Sequence, residues 1–353
     1  MFPRIQTPAV LVDLNVAEAN IVRFQNYCDA HGLKHRPHIK THKLPMLAKR
    51  QIAAGAIGIT CQKISEADAM IAEGGVRDVM ITYNIVGCDK LARLRQLAEE
   101  VYISVVADSR ATVDGLSKAF RRAPSPPNPL TVLVECDTGA ERCGVQTPDE
   151  AAALARYIAG SPGLRFGGLM TYPPVGREAE VERWLAGAKA KIEAAGLDVP
   201  VISNGGSPGM WQAEQVSTAT EYRAGTYIYN DRSLVERGVC EWEDCALSVL
   251  ATVVSTPTPT RAVIDAGTKV LTSDLLGLDG HGHVLGRPDI KIANLSEEHG
   301  VLIADNMNLA IGERVRIIPN HACVVSNMLH AVELVRGDEH LCSTPVTARG
   351  KVW

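Results

Sequence analysis

Between residues 34 and 229, short apolar, β-branched runs alternate with amphipathic stretches of helical period. That alternation narrows the possible folds more than any other feature of the 353-residue chain. The runs are 34–40, 56–61, 78–82, 101–107, 131–136, 164–172, 199–203 and 221–229. Helix-like periods fill 44–54, 64–74, 91–99, 110–119, 148–159 and 178–195. Strand–helix alternation means parallel strands joined by crossovers. Eight such units in about 200 residues is the arithmetic of a (β/α)8 barrel. The expected class is therefore α/β, with a TIM-type barrel over residues 15–239. A doubly wound open sheet competes with it but usually needs fewer strands.

The character changes near Cys240. Runs at 246–255, 261–266, 301–304, 314–318 and 330–335 read as strands separated by turn residues, and helical pattern nearly vanishes. This predicts an antiparallel β domain over residues 240–353, completed by 1–14, because 9–14 also reads as a strand. Residues 121–129, with Pro124, Pro126, Pro127 and Pro129, read as a loop that lacks the donors of a ladder. Net charge is −4 and aromatics are 5%, which leaves neither a basic field nor stacking platforms for nucleic acid. No apolar run is long enough to span a bilayer, and the first residues carry no signal core. Nine scattered cysteines without framework spacing predict mostly reduced, buried thiols and a cytoplasmic protein.

In such a barrel, chemistry sits where strands end. The densest end is Arg36-Pro-His-Ile-Lys-Thr-His-Lys43. Alternation along an extended run points Arg36, His38 and Lys40 to one face. An inward lysine is either a Schiff-base former or half of an ion pair at the barrel mouth, and the stretch alone does not choose. Lys43 falls in the following turn and is expected to be solvated. A second signal is Ser203-Asn-Gly-Gly-Ser-Pro-Gly209 after a late strand, a loop able to offer backbone N–H groups to a phosphate, or an ordinary turn. Inward lysine and phosphate anchor together match what pyridoxal phosphate requires. In Asn320-His-Ala-Cys323, an extended backbone would put His321 and Cys323 on one face, able to share a divalent cation with open positions; a buried cysteine beside a satisfied histidine is the plainer alternative. Glu135-Cys-Asp-Thr-Gly-Ala-Glu-Arg-Cys-Gly144 closes a strand with acids and offers Arg142 to a phenolic oxygen or carboxylate, or to an ion pair.

With these residues in view, the chain resembles the fold-type III pyridoxal phosphate enzymes of the D-threonine aldolase and D-serine dehydratase group. The resemblance is carried by Thr7-Pro8, the Arg36–Lys43 stretch, Gly58-Ile-Thr-Cys-Gln-Lys-Ile-Ser-Glu-Ala67, the segment 135–145, Asn204-Gly-Gly206, Gly225-Thr-Tyr227, Ser296-Glu-Glu-His-Gly300 and Asn320-His-Ala-Cys323. It implies an alanine racemase-like barrel followed by a β domain. It implies that Lys40 carries pyridoxal 5'-phosphate and moves protons, and that Asn204, Gly205 and Gly206 hold its phosphate with Tyr227 as a neighbour. Tyr172 would contact the cofactor ring and serve in catalysis. Arg142 would stand close to the cofactor, and His38 is grouped with the cofactor-binding residues. His321 and Cys323 would bind the metal: zinc first, given a thiolate, with manganese or magnesium as alternatives.

The implied substrate is a small D-3-hydroxy-α-amino acid, and the implied assembly is a homodimer. Aldolases of this group resemble one another in carrying His-x-Asp as the metal pair, and dehydratases His-x-Cys. Aldolases also carry a histidine just past the Tyr172 position, where this chain reads Tyr172-Pro-Pro-Val-Gly-Arg-Glu178. Both features favour dehydration to a 2-oxo acid and ammonia over cleavage to glycine and an aldehyde. Racemisation, which needs no metal, ranks third.

Overall fold

The computed structural model describes residues 1–121 and 129–353. The expected proline-rich loop at 121–129 falls almost wholly outside the described residues. The chain separates into two compact units. One comprises Phe24–Lys40, Leu44–Gly225 and Lys351–Trp353; the other comprises Met1–Arg23, Thr41–Lys43 and Thr226–Gly350.

The first unit is an eight-stranded parallel sheet. Its spatial order is Lys34–His35, Glu221–Tyr222, Val201–Asn204, Leu164–Thr171, Leu130–Cys136, Tyr102–Ala107, Asp78–Asn84 and Ile59–Cys61. A parallel bridge between His38 and Thr60 joins the two ends, with the Thr60 N–H donating to Pro37 O at 2.7 Å and the Ile39 N–H to Thr60 O at 2.9 Å. The helices Pro45–Ala53, Ile64–Ala72, Cys88–Glu100, Arg110–Phe120, Pro148–Ala159 and Glu178–Ala194 alternate with the strands. Strands covered on both faces carry near-continuous apolar runs, and Leu130–Cys136 is buried throughout. Met80, Val106, Leu133 and Met170 form one apolar cluster, with Val201 packed against it. Below the apolar layer, Arg36 is held by Glu221 at 3.1 Å and by Asp78 at 2.6 Å, the first residues of their strands. A buried guanidinium stripped of a partner costs about 3–5 kcal/mol, so this pairing fixes how those strands start around Arg36.

Two expected strands are much shorter than their apolar runs. The 34–40 run is a strand only at Lys34–His35, because Pro37 has no N–H for the ladder. The 221–229 run is a strand only at Glu221–Tyr222, and Thr226–Ile228 form a 3-10 turn. The helix Leu14–Ala30 was not among the expected elements. Its buried positions include the polar Asn20 and Gln25, which interrupt the apolar period.

The second unit is a mostly antiparallel nine-stranded sheet. Strand Ala9–Asp13 runs antiparallel to Leu247–Thr258, pairing Ala9 with Leu250, and parallel to Ala331–Arg336, pairing Leu11 with Glu333. Three strands here went unread in the sequence: His283–Val284, Lys291–Leu295 and Glu339–Pro345. Glu339–Pro345 is largely exposed and Lys291–Leu295 buries only Ile292, so no hydrophobic alternation marks them. All nine cysteines are free thiols, five of them buried. No helix among the described residues is long and apolar enough to cross a membrane.

Candidate active site

The barrel unit builds the lysine end from its neighbours inward. Gln62 donates through Nε2 to Thr82 O at 3.0 Å, which turns its Oε1 toward His38 Nε2 at 3.2 Å. His38 Nε2 is then the donor, and Nδ1 accepts the Lys40 backbone N–H at 3.3 Å. The Cys-Gln-Lys segment thus fixes the imidazole tautomer, and the imidazole fixes the backbone from which the half-buried Lys40 side chain projects.

Arg142 lies over the Tyr172 ring, its Cζ 4.6 Å from the centroid. The loop presenting it is pinned at its start. Asp137 Oδ1 accepts the N–H groups of Gly139 and Ala140, each at 2.9 Å, and that of Glu141 at 3.1 Å. Burial works against the Asp137 carboxylate, but these donors hold it below the usual range. The loop returns at Gly144, with φ +123°, where a Cβ would stand 2.4 Å from Asp137 N; only glycine fits. Tyr172 also borders the glycine loop, since a Cβ on Gly206 would come within 3.0 Å of its Cε2. Gly205, at φ +145°, sits so close to Arg223 that a Cβ would be 2.5 Å from its backbone N. A pocket here is lined by Tyr172, Pro174, Asn204, Gly206, Pro208 and Tyr222. Asn204 Oδ1 is buried without a hydrogen-bond partner among the described residues, an unmet acceptor that a bound donor would satisfy. A narrow glycine cradle, which can offer backbone N–H groups, and an arginine over a tyrosine fit a phosphorylated pyridine.

Glu135 sits deeper. Burial first, and then Asp108, push its carboxyl up to about 7, against the pull of Arg142, Arg223 and the Asn84 amide. Because the folded state holds this proton more tightly than the unfolded chain does, the contribution of Glu135 to stability is fully present below the usual carboxyl value and is lost as pH rises toward the folded value. We expect Glu135→Gln to flatten the decline by roughly 2–3 kcal/mol between about pH 5 and about pH 8. Urea unfolding of wild type and variant at both pH values checks this. Parallel pH profiles would place the Glu135 carboxyl in its ordinary range.

The second unit holds His321 and Cys323. They do not lie on an extended strand as expected. His321 is the extended residue (φ −139°, ψ 98°) before the helix Ala322–Met328, and Cys323 falls in that helix's first turn. The two side chains are close neighbours nonetheless, since Cys323 is among the groups that hold the His321 value up. The link between them is anchored by Asp231, whose Oδ2 accepts the Ala322 N–H at 2.9 Å. His321 Nδ1 lies 2.6 Å from Asp274 Oδ2, which leaves Nε2 for the Cys323 side. Burial pulls the His321 value down, but Cys323, Asp274 and Asp231 together hold it up at about 9. Cys323 Sγ lies 3.0 Å from the Thr41 hydroxyl, and Thr41 follows Lys40 directly in the chain. One nitrogen and one sulfur, converging and backed by hydrogen-bonded neighbours, suit a divalent cation with open positions. Among the described residues, no group of three or more His, Cys, Asp or Glu could hold a metal.

The barrel unit therefore carries His38, Lys40, Arg142, Tyr172, Asn204, Gly205 and Gly206, while Tyr227, His321 and Cys323 fall in the other. Tyr227 is buried in a 3-10 turn. Lys43 is not solvated: it is 4% exposed at φ +55°, with Nζ donating to Ala348 O at 3.3 Å. Sequence reasoning missed Asp274 and Asp231. They stand 47 and 90 residues from His321 in a motif-free stretch, so no spacing pointed to them.

Known proteins are similar to this chain in sequence and fold. The family model "Alanine racemase, N-terminal domain" matches residues 12–233, and a serine dehydratase domain model matches residues 246–335. D-threonine aldolase of Arthrobacter sp is 34% identical, over 98% of this chain and 93% of that protein. The crystal structure of D-threonine aldolase from Filomicrobium marinum superposes with a TM-score of 0.91 at 32% identity, covering 99% of this chain and 97% of that one. D-threo-3-hydroxyaspartate dehydratase from Delftia sp. HT23 superposes with a TM-score of 0.87 at 30% identity, covering 97% of each chain. That dehydratase has also been solved with a histidine replaced by alanine and, in a metal-free form, with a cysteine two residues further on replaced. With a family model over more than half its length and these relatives over nearly all of it, the chain belongs to the fold-type III pyridoxal phosphate enzymes of the D-threonine aldolase and D-serine dehydratase family.

Proposed function

We propose that the protein is a pyridoxal phosphate- and divalent metal-dependent lyase of small D-3-hydroxy-α-amino acids that eliminates water and releases a 2-oxo acid and ammonia. The observation that carries this reading is the converging His321–Cys323 pair. Its thiolate favours zinc over the manganese or magnesium that a carboxylate would suit. The metal-free cysteine variant of the dehydratase relative supports the same assignment.

Bound cofactor supplies an electron sink for the substrate's α-carbon. Lys40 would hold the cofactor through Nζ, and the same atom is the group that would move the α-proton. His38 keeps the Lys40 backbone in place. Tyr172 would pack against the cofactor ring with Arg142 beside it, and Asn204, Gly205 and Gly206 would hold its phosphate, with Tyr227 as a neighbour. His321 Nε2 and Cys323 Sγ would hold the cation, which would supply Lewis acidity toward the hydroxyl to be eliminated. The homodimeric state and cytoplasmic location implied by the resemblance belong to the same proposal.

A second reading is retro-aldol cleavage to glycine and an aldehyde, and the strong likeness to two D-threonine aldolases favours it. Racemisation has no use for the metal. The test is to give the loaded protein D-serine, D-threonine and D-threo-3-hydroxyaspartate before and after chelation. Turnover that is lost with the metal and restored by zinc is expected. Turnover indifferent to chelation would remove both lyase readings and leave racemisation.

A further inference from the structure

His321 Nδ1 faces Asp274 Oδ2 at 2.6 Å. The Asp274 loop is itself braced, its backbone N–H donating to Thr272 Oγ1 at 3.2 Å. The His321 side chain is 27% exposed and that of Asp274 is 37% exposed, so the pair lies at the edge of the site and not in sealed core. An imidazole with Nδ1 engaged by a carboxylate is held as the tautomer whose Nε2 carries a lone pair, and its electron donation at Nε2 is strengthened. On the other side of the pair, the Thr41 hydroxyl lies 3.0 Å from Cys323 Sγ, within reach to donate to a thiolate. Asp274 reaches the His321 ring at Nδ1, which leaves Nε2 as the ring nitrogen open to a cation.

We propose that Asp274 is the positioning residue of the metal site: it sets the His321 ring and tautomer so that Nε2 and Cys323 Sγ meet one cation, without itself being a ligand. This rests on the reading of His321 and Cys323 as metal ligands. Removing such an outer partner lowers metal affinity by about 10–100-fold in comparable sites. A neutral amide keeps an acceptor for Nδ1–H but removes the charge, so Asp274→Asn should fall between wild type and Asp274→Ala.

The experiment titrates Co2+ into the full-length, cofactor-loaded protein after chelation. It follows the sulfur-to-cobalt charge-transfer absorbance and measures affinity by competition with a chelator. Wild type should bind one Co2+ with that band. Asp274→Ala should bind about 10–100-fold more weakly and Asp274→Asn at an intermediate level, with the cofactor's own absorbance unchanged in both. Variants that bind Co2+ as tightly as wild type, with the same band, would overturn the role of Asp274 and leave the ligand pair standing. A wild type without the sulfur-to-cobalt band would overturn the ligand pair and Asp274 with it.

Discussion

Lys40→Ala should give a folded protein that no longer shows the visible absorbance of covalently held pyridoxal phosphate and no longer turns over substrate. The structural cost is small, because Lys40 is half-buried and its contact with His38 is made by the backbone N–H, which alanine keeps. The chemical cost is large. Loss of a positioned proton-transfer group alone removes about 10²–10⁴-fold of rate, and loss of the covalent link to the cofactor adds to it. Two nearby lysines are poor substitutes. Lys43 is buried with its Nζ on Ala348 O, and Lys63 lies over the Tyr83 ring at 4.2 Å. A visible band that survives Lys40→Ala would mean another lysine carries the cofactor.

Cys323→Ala should lower metal content and turnover together while leaving the cofactor band intact. The covalent link to the cofactor is made by Lys40 Nζ and does not involve the thiol. Removing one of two protein ligands should cost more affinity than the 10–100-fold typical of losing an outer partner. The surroundings tolerate the change. Cys323 is only partly buried, and the Asp231 anchor acts on the Ala322 backbone. Metal analysis, assay and absorbance on one preparation check this. Full metal content with full activity would reduce the His-x-Cys pair to packing.

The barrel was legible because parallel strands covered on both faces must be apolar throughout, as Leu130–Cys136 shows. The lysine stretch and glycine loop were legible for a related reason: titratable residues and paired glycines at strand ends have little structural use. The Lys34–His35 strand stops short because of Pro37, which the sequence contains but whose effect depends on which strand needs the missing donor. Lys43 read as solvated because a lone lysine in a turn usually is. Its buried partner, the Ala348 carbonyl, is 305 residues away. Asp274 was invisible for the same reason, since its pairing with His321 exists only once the chain has folded. The local backbone at His321 and Cys323 also differs from the extended run that their spacing implied: one extended residue is followed directly by a helix start.

The central claim is elimination of water under a thiolate-held cation, and the products of D-threonine test it most directly. Purified protein loaded with pyridoxal phosphate and zinc would be incubated with D-threonine, and ammonia, 2-oxo acid, glycine and acetaldehyde would all be measured. The account predicts ammonia and 2-oxobutanoate in equal amounts, without glycine. Glycine and acetaldehyde in equal amounts, without ammonia, would contradict it. They would show an aldolase that works with a cysteine in its metal pair and no histidine in the loop after Tyr172.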